Sequence, residues 1–482
     1  MRVLKALESG CAFKTSFLRG TTGVHAHSDF DVRGKNNTYE FKTGQCKGDI
    51  RMFWICFIRF STRYFFSCWI KKKERDILVC MNRKKIIVIT SILLAITVIT
   101  FFMVIKKITD KPFVIAYYNV PEKVQSAVQA SVQACFQDDR LTVKYVQLDK
   151  SRELQEQLTK NKKISIIITQ NSKALADSYT QLKSLDKELF NAFPSTFQNI
   201  YFPQENETEP LFLPLALNPL ALLCYQPMFN QLTTKHPENV QAWENMLGEL
   251  KAKVDYPLIV AGTNDTNLFY MIDSVMAAQG DTLKEFTTEF TAPFDLHAYC
   301  PPPLQRALKT LVNWRKKGYL HPEWFRLQDM DISIFMQTKH TAMVCMDLAD
   351  LEELDSNTLA DFETSSVPLS FELIKRNYPT ELFVIAEMQQ SLPQTEKLLA
   401  FFAANETQTD FAKNASLAPA SLAAQTVDAR ASSARYRVAS ANLALPSLKE
   451  AVCKTESEKS QLASQIRDYI EVNGVGYDWM SE

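Results

Sequence analysis

Polar side chains that could bind a small solute stand at the ends of two apolar runs. Tyr117, Tyr118 and Asn119 end the run PFVIAYYN, and Gln170 and Asn171 end the run KISIIITQN. Hydroxyl and amide groups can donate and accept hydrogen bonds, which suits the recognition of a polar molecule. A role as a loop residue or helix cap is the alternative for each of these residues. They act as one site only if both runs end at the same edge of a sheet.

The titratable residues do not form a recognisable catalytic pattern. Two candidate carboxylate pairs, Asp138-Asp139 and Glu352-Glu353, are consecutive in sequence, so their side chains diverge on a helix or a strand. The histidines after residue 200 are far apart: His236, His297, His321 and His340. No GxxxxGK(S/T), GxGxxG or GxSxG motif occurs, which counts against nucleotide-dependent enzymes and common serine hydrolases. We therefore expect no enzyme activity and no cofactor.

Binding of metal ions or nucleic acid is equally unsupported. The chain has ten cysteines but no CxxC, and the cysteine spacings match no zinc motif. The segment DMDIS at residues 329–333 lacks the glycine and the terminal glutamate of a calcium loop. Lys and Arg total 54, as do Asp and Glu, so the overall charge predicts no nucleic-acid partner. We expect no metal, and we interpret the cysteines after residue 81 as buried, unpaired thiols.

Residues 86–105 predict a membrane-spanning helix. The segment is uncharged throughout, and its length at about 1.5 Å per residue equals the thickness of a bilayer's hydrocarbon core, about 30 Å. A buried helix is the alternative, but basic residues flank both ends. The N-terminal flank, which includes Arg83-Lys84-Lys85, is the more basic and is expected in the cytoplasm. We interpret the segment as an uncleaved signal-anchor in the inner membrane, with one pass and a periplasmic or extracytoplasmic globular part.

The sequence before this segment matches no structural plan. Residues 1–80 contain six of the twelve glycines and an aromatic run at 52–70 whose arginines make it a poor membrane span. Met81 is followed at once by basic residues and the apolar segment, which is how an exported protein normally begins. The hypothesis is that residues 1–80 are a poorly structured extension from a mis-assigned start. Residues 81–111 then form the signal-anchor and a short linker.

The elements that must position the polar residues begin at residue 112. The run PFVIAYYN is followed by the helical pattern PEKVQSAVQASVQACFQ, the alternating run LTVKYVQL, a short helix and the run KISIIITQN. This order predicts β-α-β-α-β with a third strand buried on both faces, as in a parallel sheet. Ligands of such sheets bind beyond the carboxyl ends of the strands, where the polar residues named above are found.

The stretch LPLALNPLALLCYQPMFN, residues 213–230, is almost wholly apolar yet holds three prolines. A membrane span is disfavoured, because the prolines would leave backbone groups unpaired in lipid. The embedded polar residues Asn218 and Tyr225 are also unusual for a plain core strand. The stretch is therefore predicted to be both buried and bent.

Further segments follow this stretch in a characteristic order. The helix AWENMLGELKAK, the strand YPLIVAGTND and the segment SVMAAQGD come first. Next come ALKTLVNWRKKGYLHPEWF, FMQTKHTAMVCMDLADL and LFVIAEMQQSLPQTEKLLAFFAANETQTDFAKNASLAPA. In this order and spacing they resemble carbohydrate-type extracellular solute-binding proteins of family 1, the ligand-capture components of ABC importers. The resemblance covers roughly residues 112–480.

The resemblance implies a two-lobed, periplasmic-binding-protein-like α/β fold of type II, preceded by one N-terminal transmembrane helix. Residues 112–217 with 378–430 are expected to form the first lobe, and residues 218–377 with 431–482 the second. The stretch at 213–230 then becomes a strand that crosses between the lobes. The segment NYPTELFVIA becomes the returning crossover.

The resemblance also implies a ligand in the cleft between the lobes. Ten residues, each after a predicted strand or on the crossing, are expected to line it: Tyr117, Tyr118, Asn119, Gln170, Asn171, Asn218, Tyr225, Asn264, Asp265 and Asp347. The implied function is to capture a small polar solute, with a sugar or oligosaccharide as the candidate. The implied partners are the permease subunits of an ABC importer and, through residues 86–105, the membrane.

The chain departs from the family pattern, and the missing tryptophan and cleft glycines, together with the anchoring helix, support an alternative function. Gln226 stands where the family usually has asparagine, and no tryptophan occurs near Asp347. Sugar sites stack aromatic rings on the apolar faces of pyranoses, so the missing ring weakens the sugar prediction. The alternative is a binding-protein fold retained as a non-transport sensor or a protein-interaction module.

Overall fold

The computed structural model divides the chain into two units, Met1–Ile96 and Thr97–Glu482. The described residues are 91–98, 100, 112–139, 141–194, 197, 210–233, 237, 240–279, 290–365, 378–426, 429–440, 444–477 and 479. Residues 1–80 and most of 81–111 lie outside this description. Residues 91–98 and 100 are helical. Within the described residues, no helix combines the length and apolar character that a membrane crossing needs. The predicted span at 86–105 extends beyond them.

Ten strands are described in the second unit. They are β1 Phe113–Tyr117, β2 Val143–Gln147, β3 Ile166–Gln170, β4 Leu213–Tyr225, β5 Tyr256–Val260, β6 Thr341–Asp347, β7 Phe362–Ser365, β8 Tyr378–Glu387, β9 Ala418–Pro419 and β10 Ala444–Leu445. Their main order is β2-β1-β3-β8-β4-β6-β5.

The α-helices of the same unit surround these strands. They are α1 Glu122–Cys135, α2 Leu154–Lys160, α3 Lys173–Asp177, α4 Gln226–Phe229, α5 Val240–Lys251, α6 Asp265–Ala278, α7 Pro302–Lys316, α8 Asp329–Gln337, α9 Leu348–Leu351, α10 Ser356–Leu359, α11 Gln394–Ala403, α12 Asn405–Ala415, α13 Ala429–Ser440, α14 Leu448–Val452 and α15 Glu456–Glu471. Short 3-10 turns lie at Tyr179–Gln181, Lys187–Phe190 and Trp324–Arg326.

The first lobe confirms the predicted β-α-β-α-β order. Strand β1 pairs in parallel with both β2 and β3, and helices α1 and α2 form the crossovers. Strands β1 and β3 are buried along their whole length, which is why their sequences are continuous apolar runs. Strand β2 pairs with β1 alone among the described strands, is more exposed and alternates in sequence. The carboxyl ends of β1 and β3 therefore meet at one edge of the sheet.

Strand β4 passes from the sheet of the first lobe to that of the second. Its first half, Leu213 to Pro219, pairs antiparallel with β8, and its second half, Leu220 to Cys224, pairs with β6. Twelve of its thirteen residues are buried, which accounts for the long apolar stretch. A register irregularity lies between Pro214 and Ala216, beside a proline that has no N–H to donate.

Strand β8 returns the chain to the first lobe. It lies between β3 and β4 and pairs antiparallel with both. The sheet of the second lobe continues from β4 to β6 and then to β5, which runs parallel to β6. Helices α14 and α15 both contact α6, and α14 also contacts α3 of the first lobe. The division of the C-terminal segments between the lobes stays a prediction.

The five described cysteines are all buried and none forms a disulfide: Cys135, Cys224, Cys300, Cys345 and Cys453. This confirms their interpretation as small apolar core residues.

Candidate ligand-binding cleft

A cleft of about 530 Å³ lies between the first-lobe strand ends, the crossing strands and helices of the second lobe. Ten charged residues are among those that line it: Lys123, Lys150, Asp265, Asp347, Asp350, Glu353, Glu381, Lys449, Glu456 and Lys459. Among the described residues, Phe383 is the one aromatic residue of the lining. The described lining is therefore rich in charged groups, which suits recognition through hydrogen bonds and ion pairs.

Five of the ten predicted residues line this cleft: Asn119, Gln170, Asn218, Asp265 and Asp347. Asn119 follows β1 with a left-handed backbone (φ 54°), a conformation that asparagine tolerates better than most residues. Its side-chain amide lies 3.2 Å from Gln170 Oε1, so the ends of β1 and β3 do meet as predicted. Asn218 lies midway along β4, and Asp347 is the last residue of β6.

The two predicted first-lobe tyrosines do not line this cleft, although Tyr118 lines a small pocket beside it that shares Asn119 and Gln170. Tyr117 is buried, its ring stacks on Tyr145 with centroids 5.9 Å apart, and its hydroxyl donates to Gln125 O. Tyr118 is also buried and donates to Lys454 O over 2.7 Å. Burial raises the pKa of both phenols well above the usual value. Both rings are part of the core, because their strand ends lie under neighbouring elements rather than at the open edge.

Three other predicted residues also lie outside the lining. Asn171 is buried, and its backbone N–H donates to Leu382 O, which extends the pairing of β3 with β8. Tyr225 ends β4, where its ring contacts Phe362 and Lys339 Nζ lies 4.7 Å from the ring centre. The third residue, Asn264, has an indirect role.

Asn264 is the N-cap of α6 and also supports a carboxylate of the cleft. Its Oδ1 accepts from Thr266 N over 2.9 Å, and its Nδ2 donates to Asp350 Oδ2 over 2.8 Å. Asp265, the next residue, is engaged by Arg467, whose guanidinium lies 2.5 Å from its Oδ1. Asp265 therefore reaches the cleft with part of its charge already neutralised.

Glu381 on β8 forms the centre of a buried polar cluster that the sequence analysis did not find. Lys449 Nζ on α14 lies 2.8 Å from its Oε1, and Asn218 Nδ2 donates to its Oε2 over 3.1 Å. Thr266 on α6 donates to Oε1 and accepts from Lys449. Burial alone would raise the pKa of Glu381, but Lys449 and these donors hold it below its usual value. A lone glutamate within the apolar run NYPTELFVIA was the signal that could have revealed this cluster.

Tyr270 on α6 joins the two crossing strands. Its hydroxyl donates to Asn218 O on β4 and accepts from Glu381 N on β8 over 2.8 Å. The side chain is fully buried. One phenol thus satisfies a backbone acceptor and a backbone donor at the junction of the lobes.

Asp347 and Asp350 form a second acidic group, on the second-lobe wall. Asp347 caps α9, because its Oδ1 accepts from Asp350 N over 2.8 Å. Burial raises the pKa of Asp347 to about 8, with Asp350 and Glu381 adding to the effect. Burial and Asp329 raise the pKa of Asp350 to about 6. Within the described residues, neither carboxylate has a lysine or arginine nitrogen within 4.0 Å.

Three further ion pairs involve lysines of the cleft walls. Lys123 at the start of α1 and Glu353 after α9 join the two lobes at 3.2 Å, with both side chains largely exposed. Lys459 on α15 is buried against Glu450 and lies 3.9 Å from Glu456.

Across the described residues, no group of three His, Cys, Asp or Glu side chains is arranged to hold a metal ion.

Comparison with known proteins gives a clear result at the level of structure. No known family and no curated protein matches the chain by sequence. RafE from Streptococcus pneumoniae superposes with a TM-score of 0.59 at 14% identity, over 76% of this chain and 95% of that one. The bacterial solute receptor AcbH gives 0.56 at 11% identity, over 76% and 99%. An extracellular solute-binding protein from Staphylococcus aureus gives 0.52 at 13% identity, over 77% and 98%.

The chain has the two-lobed α/β fold of extracellular solute-binding proteins. This confirms the two-lobed α/β part of the fold that the sequence resemblance implied, while the preceding transmembrane helix stays a prediction. In such a fold the cleft described above occupies the position between the lobes, where ligands are bound in two-lobed binding proteins. Its described lining nevertheless differs from that of a sugar site built on stacked rings, because it contains ten charged residues and a single phenylalanine.

Proposed function

We propose that this chain is an extracytoplasmic solute-binding protein that captures a small polar ligand in the cleft and delivers it to the permease subunits of an ABC importer. The observation that carries the proposal is an open polar cleft of about 530 Å³ between the lobes of this fold. That volume is within the range of small-molecule sites. Structurally similar proteins support it, since RafE has been solved with raffinose and the Staphylococcus aureus protein with maltose.

The ligand is proposed to contact both lobes. Asn119 and Gln170 offer amide groups from the first lobe, Asn218 lies on the crossing strand, and Asp265 and Asp347 lie on the second lobe. A ligand that touches both lobes stabilises the closed arrangement, because some of its contacts exist only in that state. Binding without catalysis is part of the proposal, because the structurally similar proteins are solute receptors and solute-binding proteins.

Native mass spectrometry of the purified full chain tests the proposal by seeking a co-purifying small molecule. Hydrogen–deuterium exchange with that molecule then reports the binding mode. We expect protection of residues 118–124 in the first lobe and residues 347–353 in the second. Protection of one lobe alone, or of neither, contradicts capture between the lobes.

We also propose that residues 86–105 anchor the protein as a single-pass span, with the basic N-terminal flank in the cytoplasm. The support is the uncharged length and the flanking charge of this segment. Protease treatment of spheroplasts should degrade the globular part and leave a short membrane-bound fragment. Release of intact protein by osmotic shock contradicts the anchor.

One observation favours the second candidate, a non-transport sensor or interaction module. The cleft lacks the stacked rings expected of sugar capture. Uptake separates the two functions: cells without this protein should fail to accumulate the ligand found by mass spectrometry if the chain serves an importer. Unchanged accumulation favours the sensor.

A further inference from the structure

The carboxylates of the cleft differ in whether the protein itself supplies a counter-charge. Glu381 has Lys449 at 2.8 Å, Glu353 has Lys123 at 3.2 Å, and Asp265 has Arg467 at 2.5 Å. Glu456 has Lys459 at 3.9 Å. These four pairs are therefore complete without a ligand.

Asp347 and Asp350 are the exceptions among the described cleft residues. Asp347 is only 4% exposed and lines the cleft. Its Oδ1 is used as a helix cap, whereas its Oδ2 receives no hydrogen bond from any described residue. Asp350 accepts from Asn264 and Asn267 at Oδ2, and its Oδ1 likewise receives none. Both residues line the cleft, so a ligand bound there can supply donors to these two unused oxygens.

We propose that the Asp347–Asp350 pair binds a protonated amine, so that the solute captured in this cleft is an amine-bearing polar molecule rather than a neutral sugar. This inference rests on the proposed function and specifies its ligand. An ammonium group brings three donors and the positive charge that this wall lacks. The other described residues of the cleft offer amides and charged groups to polar parts of a ligand. They include a single aromatic ring on which a pyranose could stack.

The charged and titratable groups around Asp347 determine how binding depends on pH. They are Asp350 on α9, Glu381 on β8, Lys449 on α14 and Tyr270 on α6. Lys449 is held by Glu381 and Thr266 and acts on Asp347 only at longer range. Because burial and two acidic neighbours outweigh this single lysine, the free protein keeps Asp347 largely protonated at pH 7.

The two ligand classes therefore predict opposite pH dependence. An ammonium binds the ionised carboxylate, so its affinity should rise from pH 6 to pH 8, by up to about tenfold per pH unit, as Asp347 releases about one proton. A neutral sugar that accepts a hydrogen bond from protonated Asp347 should bind more weakly over the same range.

The experiment is calorimetric titration of the full chain with putrescine, spermidine and glucosamine, and with raffinose and maltose as neutral probes. Spermidine serves for the pH series, because alkylammonium groups stay charged to about pH 10. Titration in two buffers of different ionisation enthalpy counts the protons released. We expect an amine to bind, with affinity that rises with pH and with proton release.

Variants of the pair give the residue-level test. Asp347→Asn and Asp350→Asn retain an amide oxygen that can still accept the native hydrogen bonds, so the fold should be preserved and thermal melting checks this. Each should weaken amine binding by about 30-fold or more, and Asp347→Asn should abolish the pH dependence. Glu323→Gln is the control: it removes an exposed carboxylate outside the cleft, paired with Arg326 at 3.3 Å, and should change affinity by less than about threefold.

The outcomes separate the inference from the proposed function. A neutral sugar that binds more tightly than every amine, or that binds Asp347→Asn as well as the unaltered chain, overturns the amine assignment and leaves solute capture standing. Failure of every amine to bind, or an affinity that falls as pH rises, also overturns it. A chain that carries no co-purifying molecule and binds neither set loses both proposals.

Discussion

Two carboxylates at the cleft, Glu381 and Asp347, are equally buried at 4% exposure but lie in opposite electrostatic environments. Glu381 has a lysine, a threonine and an asparagine around its oxygens, and these lower its pKa. Burial raises the pKa of Asp347 to about 8, since no basic side chain pairs with it. The difference teaches that the counter-charge, rather than burial, decides whether a buried carboxylate is a fixed part of the fold or remains available to a ligand.

Position in the fold agrees with this division. Glu381 joins β8 to β4, α6 and α14 at the junction of the lobes, so its partners come from elements that must stay together. Asp347 ends β6 and contacts mainly its own turn and Asn267. The first carboxylate therefore holds the molecule together, and the second leaves an oxygen to the cleft.

The largest loss of stability is expected when Glu381 loses its lysine partner. Lys449→Met replaces the lysine with an apolar side chain of similar length and leaves Glu381 buried without a cation. We expect the free energy of unfolding to fall by about 3–5 kcal/mol, measured by urea denaturation at pH 7. The double variant with Glu381→Gln should recover much of this loss. Equal losses in the single and double variants contradict the assigned pairing.

Tyr270→Phe tests the uncharged hydrogen bonds that the Tyr270 hydroxyl makes at the same junction. The change removes the hydroxyl that accepts from Glu381 N and donates to Asn218 O, so two buried backbone groups lose their partner. The free energy of unfolding should fall by about 1–3 kcal/mol. Hydrogen exchange should become faster at the amide of Glu381, and unchanged exchange there contradicts the role.

Asp347, the carboxylate without a basic partner among the described residues, predicts that stability depends on pH. Because the folded-state pKa of Asp347 is raised above its unfolded value, its stabilising contribution is complete below about pH 4 and is lost as pH rises toward 8. The free energy of unfolding should fall by up to about 1.4 kcal/mol per pH unit in this range. Asp347→Asn should show a smaller slope between pH 5 and pH 7, measured by urea denaturation at each pH. An identical slope contradicts the raised pKa.

The smallest effect is expected at the exposed pair. Lys123 and Glu353 join the lobes at 3.2 Å, but their side chains are 49% and 67% exposed. Lys123→Met should change the free energy of unfolding by less than about 1 kcal/mol, since solvent screens such pairs. A loss as large as that of Lys449→Met contradicts the distinction between buried and exposed pairs.

The strands of the first lobe and the crossing strand were predictable because local pattern reflects burial directly. Continuous apolar runs gave β1 and β3, and the long apolar stretch with prolines gave β4. Strand ends also identified Asn119, Gln170 and Asp347 as residues of the cleft edge. Tyr225 was assigned to the same site, but it follows Asn218 by seven residues, roughly 23 Å along an extended strand. Proximity in sequence therefore did not give proximity to the cleft.

The sequence by itself determined the β-α-β-α-β order of the first lobe and the buried strand at 213–230, since hydrophobic period is a local property, whereas the two-lobed fold was implied by the resemblance to a known family. Only the tertiary structure decided which charges meet. Glu381 and Lys449 are 68 positions apart, and Asp265 and Arg467 are farther apart still, yet each pair is within 3 Å. No periodicity encodes such contacts, because they depend on how strands and helices from both lobes pack. The same packing left Asp347 without a cation, and that absence is what sets its pKa and its availability to a ligand.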